Sequence, residues 1–134
     1  MAAGRYDFTI EQGATTNFEL QYKDNKNNPI DLTNYNGRMQ IRPFVGSDDV
    51  YLTLSSSLGP CGTGINMNGS NGTTPPTSGS IGVYISAHSS SLLDWDNKAY
   101  YDLELYTSDD NDCMYVVRLI QGKVKLSKEI TITP

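Results

Sequence analysis

No stretch of this 134-residue chain approaches the ~20 consecutive apolar residues that a membrane-spanning helix needs, so no membrane span is expected. Basic residues are few, ten Lys and Arg against fifteen Asp and Glu, and they never cluster along the sequence. A formal charge of −5 spaced in this way argues against nucleic acid, whose phosphates call for a basic footprint, and against docking on an anionic membrane surface. There are only two cysteines, Cys61 and Cys113, and one histidine, His88. That is too little for a disulfide framework or a four-ligand zinc site, and the two thiols are not expected to be joined. No GxGxxG, Walker loop, HExxH or CxxC occurs. His88 is flanked by Ser86, Ser89, Ser90 and Ser91, but nothing marks one of them as a nucleophile, and they read as polar loop and helix cap. No apolar stretch follows Met1-Ala2-Ala3-Gly4-Arg5, so no secretory signal is expected. No catalytic residue, cofactor or metal ion is expected.

What is present suits strands and turns. Nine Tyr stand against three Phe and one Trp, among many Thr, Ser and Asn, with 12 Gly and 6 Pro. Tyr, Thr, Val and Ile favour pleated surfaces, whereas Gly, Asn, Asp and Ser favour turns. Period-two alternation recurs along the chain: Tyr6, Phe8 and Ile10; Phe18, Leu20 and Tyr22; Met39 and Ile41; Leu52 and Leu54; Ile81, Val83 and Ile85; Tyr101, Leu103 and Leu105. Tyr115–Ile120 is apolar on nearly both sides and reads as a central strand. Gln121-Gly122-Lys123 reads as a tight hairpin turn, and Gly13 as a left-handed turn residue. In the last strand Lys128 falls on the inward parity of Val124 and Leu126, so a bulge or break at Ser127–Glu129 is expected to turn it outward. Ser89–Trp95 carries the only helix signal, with Leu92, Leu93 and Trp95 covering one end of the core.

These elements predict a single all-β domain over 1–134, an antiparallel immunoglobulin-like β-sandwich with one short helical turn. The expected core is Phe8, Ile10, Phe18, Leu20, Met39, Ile41, Leu52, Ile81, Val83, Leu103, Leu105, Val117, Leu119, Val124, Ile130 and Ile132. Residues 55–79 stand apart, with six Gly and three Pro. They read as a long Gly/Ser/Thr/Pro-rich insertion around one short strand at Ile65–Met67. It is expected to be mobile in the free domain, ordered by a neighbour, and removable over residues 59–77 without unfolding the sandwich.

Ligand candidates are sparse. Asp109-Asp110-Asn111-Asp112 clusters oxygens as a calcium loop would, but lacks the twelve-residue spacing and reads as a hairpin turn. Tyr84, Tyr100, Tyr106 and Trp95 are the aromatics that could stack on a sugar, with Tyr100 and Tyr106 projecting opposite the core set Tyr101, Leu103 and Leu105. A contact surface is expected at Tyr84, Tyr100 and Tyr106, with Ile65 and Met67 from the insertion.

Three segments bear a resemblance when taken together: Phe8-Thr9-Ile10-Glu11-Gln12-Gly13-Ala14; Asn28-Pro29-Ile30-Asp31-Leu32-Thr33-Asn34-Tyr35 leading into Arg38-Met39-Gln40-Ile41-Arg42; and Tyr101-Asp102-Leu103-Glu104-Leu105 before Val117-Arg118-Leu119-Ile120-Gln121-Gly122-Lys123-Val124. In this order and spacing the chain resembles small β-sandwich virion proteins of tailed bacteriophages, of the long-tail-fibre-cap type and the baseplate-upper-protein N-terminal-domain type. The likeness covers most of the chain outside residues 55–79. It implies a non-enzymatic tail, baseplate, neck or fibre-attachment adaptor, made in the host cytoplasm and located in the virion. Its implied partners are other virion proteins, met in multiple copies. A capsid decoration protein is the alternative within that class, and a glycan-binding host-recognition module the alternative outside it. The segment Asp31–Tyr35 also has a local reading: Asp31 accepts backbone hydrogen bonds in an Asx-type turn, and Leu32 and Tyr35 plug a corner of the core.

Overall fold

A computed structural model describes residues 4–96, 98–108 and 113–130. In chain order the strands are β1 (Gly4–Arg5), β2 (Phe8–Glu11), β3 (Thr16–Gln21), β4 (Asn36–Arg42), β5 (Leu52–Ser55), β6 (Gly64–Asn66), β7 (Ser80–Ile85), β8 (Ala99–Ser108) and β9 (Met114–Ser127). One short helix, α1 (Ala87–Ser91), precedes β8, and two 3-10 turns lie at Pro60–Gly62 and Pro76–Ser78. The chain is an all-β sandwich. The larger sheet has the order β1-β9-β8-β4-β5, with β2 also on β9, and the smaller sheet runs β3-β7-β6.

Alternation puts one face of each strand into a shared core. Ile10, Met39, Ile41, Leu54, Ala99, Tyr101, Leu103, Leu105, Val124 and Leu126 come from the larger sheet, and Ile65, Ile81, Val83 and Ile85 from the smaller. Phe8, Phe18, Leu20, Leu52 and Leu119 pack against this cluster half-buried. Two core expectations fail. Ile130 is 98% exposed, because β9 ends at Ser127 and nothing carries the alternation on. Val117 is only half-buried. Ile132 lies outside the described residues.

Pairing is antiparallel except at one edge. There β1 and β2 run parallel to β9, with Arg5 opposite Gln121 and Phe8 opposite Val124. This corrects the hairpin expected at Gln121–Lys123. Gly122 sits in mid-strand opposite Tyr101, and its missing side chain gives room to the backbone of Tyr6. Gln-Gly-Lys satisfies a turn pattern, but a strand glycine also marks a close backbone approach.

The central-strand reading of Tyr115–Ile120 needs correction as well. The β8–β9 ribbon runs past the end of β4, whose last partner is Tyr106. Met114, Tyr115 and Val116 are 51%, 52% and 41% exposed there. Among the described residues, β1 and β2 meet β9 only from Ile120 onward, so Met114–Leu119 pairs with β8 alone.

Local turns follow side-chain chemistry. The Asp31 carboxylate accepts the amide of Thr33 at 2.9 Å and its hydroxyl at 2.6 Å, and these bonds hold the Asp31 carboxyl below its ordinary range. Leu32 is buried and Tyr35 packs against the core. Gly13 is left-handed at φ 82°. The helix begins earlier than expected, because Ser86 is the cap and its hydroxyl oxygen accepts the Ser89 amide at 3.1 Å. Leu93 and Trp95 are buried below it, whereas Leu92 is 72% exposed. Lys128 turns outward after β9, as the break demands, and reaches Asp94 at 2.8 Å and Asp96 at 2.6 Å.

The expected free insertion at 55–79 is corrected too. β6 is the third strand of the smaller sheet, and Ile65 is fully buried in the core opposite Val83. The Ser70 amide donates to the Glu19 carboxylate at 2.9 Å, and the Ser70 backbone lies over Gly82. Thr63, Ser86 and Ser89 join their hydroxyls at 2.9–3.1 Å. Low apolar content masks this packing in the sequence, since Ile65, Met67 and a set of side-chain hydrogen bonds do the anchoring.

Candidate binding face

The outward positions of β4, β8 and β9 share one face. From β8 come Tyr100, Asp102, Glu104 and Tyr106, and from β4 Arg38, Gln40 and Arg42, each directly opposite a β8 neighbour in the antiparallel register. From β9, Lys123 lies opposite Tyr100, Gln121 opposite Asp102 and Arg118 opposite Glu104. Strict alternation along β9 would send Arg118 and Lys123 to opposite faces. A bulge between Leu103 and Glu104 inserts Leu119 as an extra residue and brings Arg118 round to join Gln121 and Lys123.

Three adjoining depressions mark this face. The largest, about 380 Å³, is lined by Gln40, Arg42, Tyr100, Asp102, Arg118 and Gln121, with Phe44 and Val45 on its rim. Those rim residues are 59% and 88% exposed. A second, about 270 Å³, holds Lys98, Lys123 and Lys125 around Asp7, Phe8 and Thr9. A third, about 370 Å³, lies between Arg38 and Thr53 and shares Asp102 and Glu104 with the first.

The charges are partly tied together. Arg38 donates to Glu104 at 2.8 Å while its guanidinium lies 4.8 Å from the centre of the Tyr106 ring. Arg118 meets Asp102 at 3.3 Å. Arg42 donates to the Ser47 carbonyl oxygen and, at 2.7 Å, to the Gln40 side-chain oxygen. Burial, followed by the neighbouring Glu104 charge, raises the Asp102 carboxyl above its ordinary range, against the pull of Arg118, Arg38 and Arg42. A raised folded-state value means that ionising Asp102 works against the fold. Stability falls as pH rises from the ordinary carboxylate range through the raised one. Asp102→Asn is therefore expected to melt higher than the native protein at neutral pH, with the gain gone at about pH 3. A lower melting temperature for Asp102→Asn at neutral pH would show that the Arg118 pair outweighs burial.

The sequence-predicted contact residues do not form one surface. Tyr100 and Tyr106 lie on this face. Tyr84 is half-buried on the outside of the smaller sheet, beside Asn17, Leu58 and Cys61 in a depression of about 230 Å³. Ile65 has no exposed surface and so cannot serve the contact role expected of it, whereas Met67 is half-buried against the core. Trp95 is also removed from any sugar-stacking role, being 5% exposed and stacked on Tyr51 with ring centres 4.8 Å apart. His88 is exposed on α1, where Ser91 bonds its backbone oxygen. No disulfide joins Cys61 and Cys113, and both side chains are exposed. The candidate calcium loop 109–112 lies outside the described residues. Among the described residues no three His, Cys, Asp or Glu side chains converge on one point.

The basic side chains of the face were the part missed. Arg38, Arg42, Lys98, Arg118, Lys123 and Lys125 are scattered over the sequence and come together only when β4, β8 and β9 pair. The signal that could have found them was the period-two spacing of Lys123 and Lys125.

Fold and face together define an all-β sandwich with a broad, shallow, polar and aromatic sheet surface. No family model matches the chain, and no curated protein matches its sequence.

Proposed function

We propose that the chain is a non-enzymatic structural adaptor of a tailed-bacteriophage particle, present in several copies and acting through protein–protein contacts. The observation that carries this reading is the exposed apolar group Met114, Tyr115 and Val116 at the end of the β8–β9 ribbon. A strand edge with exposed large apolar side chains is a template for a neighbour, and soluble proteins normally blunt such edges with charge. Arg118 is the only charged residue between Met114 and Gln121. The resemblance at residues 8–14, 28–35, 38–42, 101–105 and 117–124 supplies the setting, a virion.

Quantitative mass spectrometry of purified particles tests the reading. The native protein is expected at many copies per particle, and the triple variant Met114→Ser, Tyr115→Ser, Val116→Ser at a tenth of that or less, an order-of-magnitude drop of the kind exposed interface anchors produce. The variant should melt like the native protein, because the three side chains are outside the core. A protein absent from particles refutes the virion role, and full incorporation of the variant refutes the ribbon contact. Electron cryomicroscopy of the same particles separates a tail or neck position from the capsid surface.

A further inference from the structure

We propose that the outer face of the larger sheet binds an acidic polysaccharide, a chain of uronate-type sugars carrying both carboxylates and hydroxyls. The inference is independent of the ribbon contact and rests on how charge is sorted over the molecule. The three depressions of this face are lined by six of the chain's ten cations but only three of its fifteen carboxylates, Asp7, Asp102 and Glu104. An acidic protein thus presents one net-basic surface. Among the described residues, Arg42, Lys98, Lys123 and Lys125 form no ion pair with a carboxylate, so their charge is available to a ligand.

The ligand class follows from what accompanies the cations. Tyr100 lines the largest depression beside Lys123, its cross-strand neighbour, and offers a flat ring at the junction with the lysine group. Gln40 and Gln121 have their side-chain oxygens engaged by Arg42 and Arg118, which leaves each with an amide NH₂ to donate. Asp102 and Glu104 stand in the middle of the track as acceptors. A ligand made only of anionic groups meets repulsion there, whereas sugar hydroxyls donate to those carboxylates and accept from the glutamines. From Lys98 to Glu104 the strand spans ~20 Å at ~3.3 Å per residue, the length of a short oligosaccharide. Lysines hold carboxylates as point charges, and Arg42, whose terminal nitrogens are held by Ser47 and Gln40, adds a positioned positive charge.

The test uses the intact protein in affinity electrophoresis and calorimetry with three probes: an oligogalacturonate, a polyglutamate of the same charge, and neutral dextran. Oligogalacturonate is expected to bind, to weaken as salt rises because exposed charges are screened, and to exceed polyglutamate by about tenfold. Dextran should not bind. The double variant Lys123→Ser, Lys125→Ser should lose about tenfold in affinity, and Tyr100→Ala at least about threefold, with melting temperatures confirming that both are folded. Polyglutamate binding as tightly as oligogalacturonate, with Tyr100→Ala unchanged, would assign the face to an acidic polypeptide and overturn the proposal. Binding to none of the three would overturn it as well.

Discussion

Gly122→Ala should lower the melting temperature by about 15 °C, although it adds a single methyl group. A Cβ at Gly122 would stand 2.2 Å from the Tyr6 backbone oxygen and 2.7 Å from an Asp7 carboxylate oxygen. The first of these is backbone and cannot swing away. Three bonds fix it in place: the Tyr6 amide donates to the Gln121 oxygen at 3.0 Å, the Lys123 amide donates to Asp7 at 2.8 Å, and the buried Tyr101 hydroxyl donates to the Tyr6 oxygen. Displacing that segment combines overpacking of ~1–3 kcal/mol with loss of bonds worth ~1 kcal/mol each. The sum, on the order of 4 kcal/mol, is a large share of the ~5–15 kcal/mol that holds a domain together. Gly4→Ala is the control, since its Cβ would meet only ordinary contacts at 3.6 Å and beyond. Thermal melting of both variants decides the matter, and equal melting of Gly122→Ala and the native protein would show that the β1–β2 crossing is not fixed as described.

Deleting residues 59–77 and closing the gap with a short glycine linker should leave no cooperatively folded protein. The deletion removes β6, and with it Ile65 from the centre of the core and the partner of Val83 in β7. It also removes Thr63, whose hydroxyl accepts the Ser86 amide at 2.9 Å beneath the start of α1. The cover that Ser70 provides over Gly82 goes as well. The point variant Ile65→Ala isolates the apolar part and should cost ~2–5 kcal/mol, or roughly 8–20 °C in melting temperature. A deletion variant that melts cooperatively near the native temperature would return this segment to the status of a dispensable loop.

Much of the sandwich was legible because strands announce themselves locally. Tyr101, Leu103 and Leu105 alternate with polar neighbours, and the structure buries all three. Asp31 was readable for the same reason, since an Asx turn closes over two residues. Partners are not local. Nothing in Phe8–Glu11 names Val124–Ser127 as its ladder, so the parallel edge is not legible in the sequence and Gly122 reads as a turn. The bulge at Leu119 is a property of the β8–β9 pairing, and it re-aims Arg118. The basic face could not be seen along the sequence for that reason: its members come from three strands, one of them out of step. Ile65 sits in Gly-rich surroundings that look like a loop, whereas Gly64 lets the chain pass close to Ser55 and Leu58.

The parallel seam also sets an order of events during synthesis. β2 and its ladder on β9 are more than a hundred residues apart, with Phe8 opposite Val124. All three strands of the smaller sheet, β3, β6 and β7, precede β9 in the chain and are synthesised before it. Phe8 and Ile10 therefore meet their ladder only once Val124–Leu126 has been made, so this seam is expected to close late, as contacts of long sequence separation do.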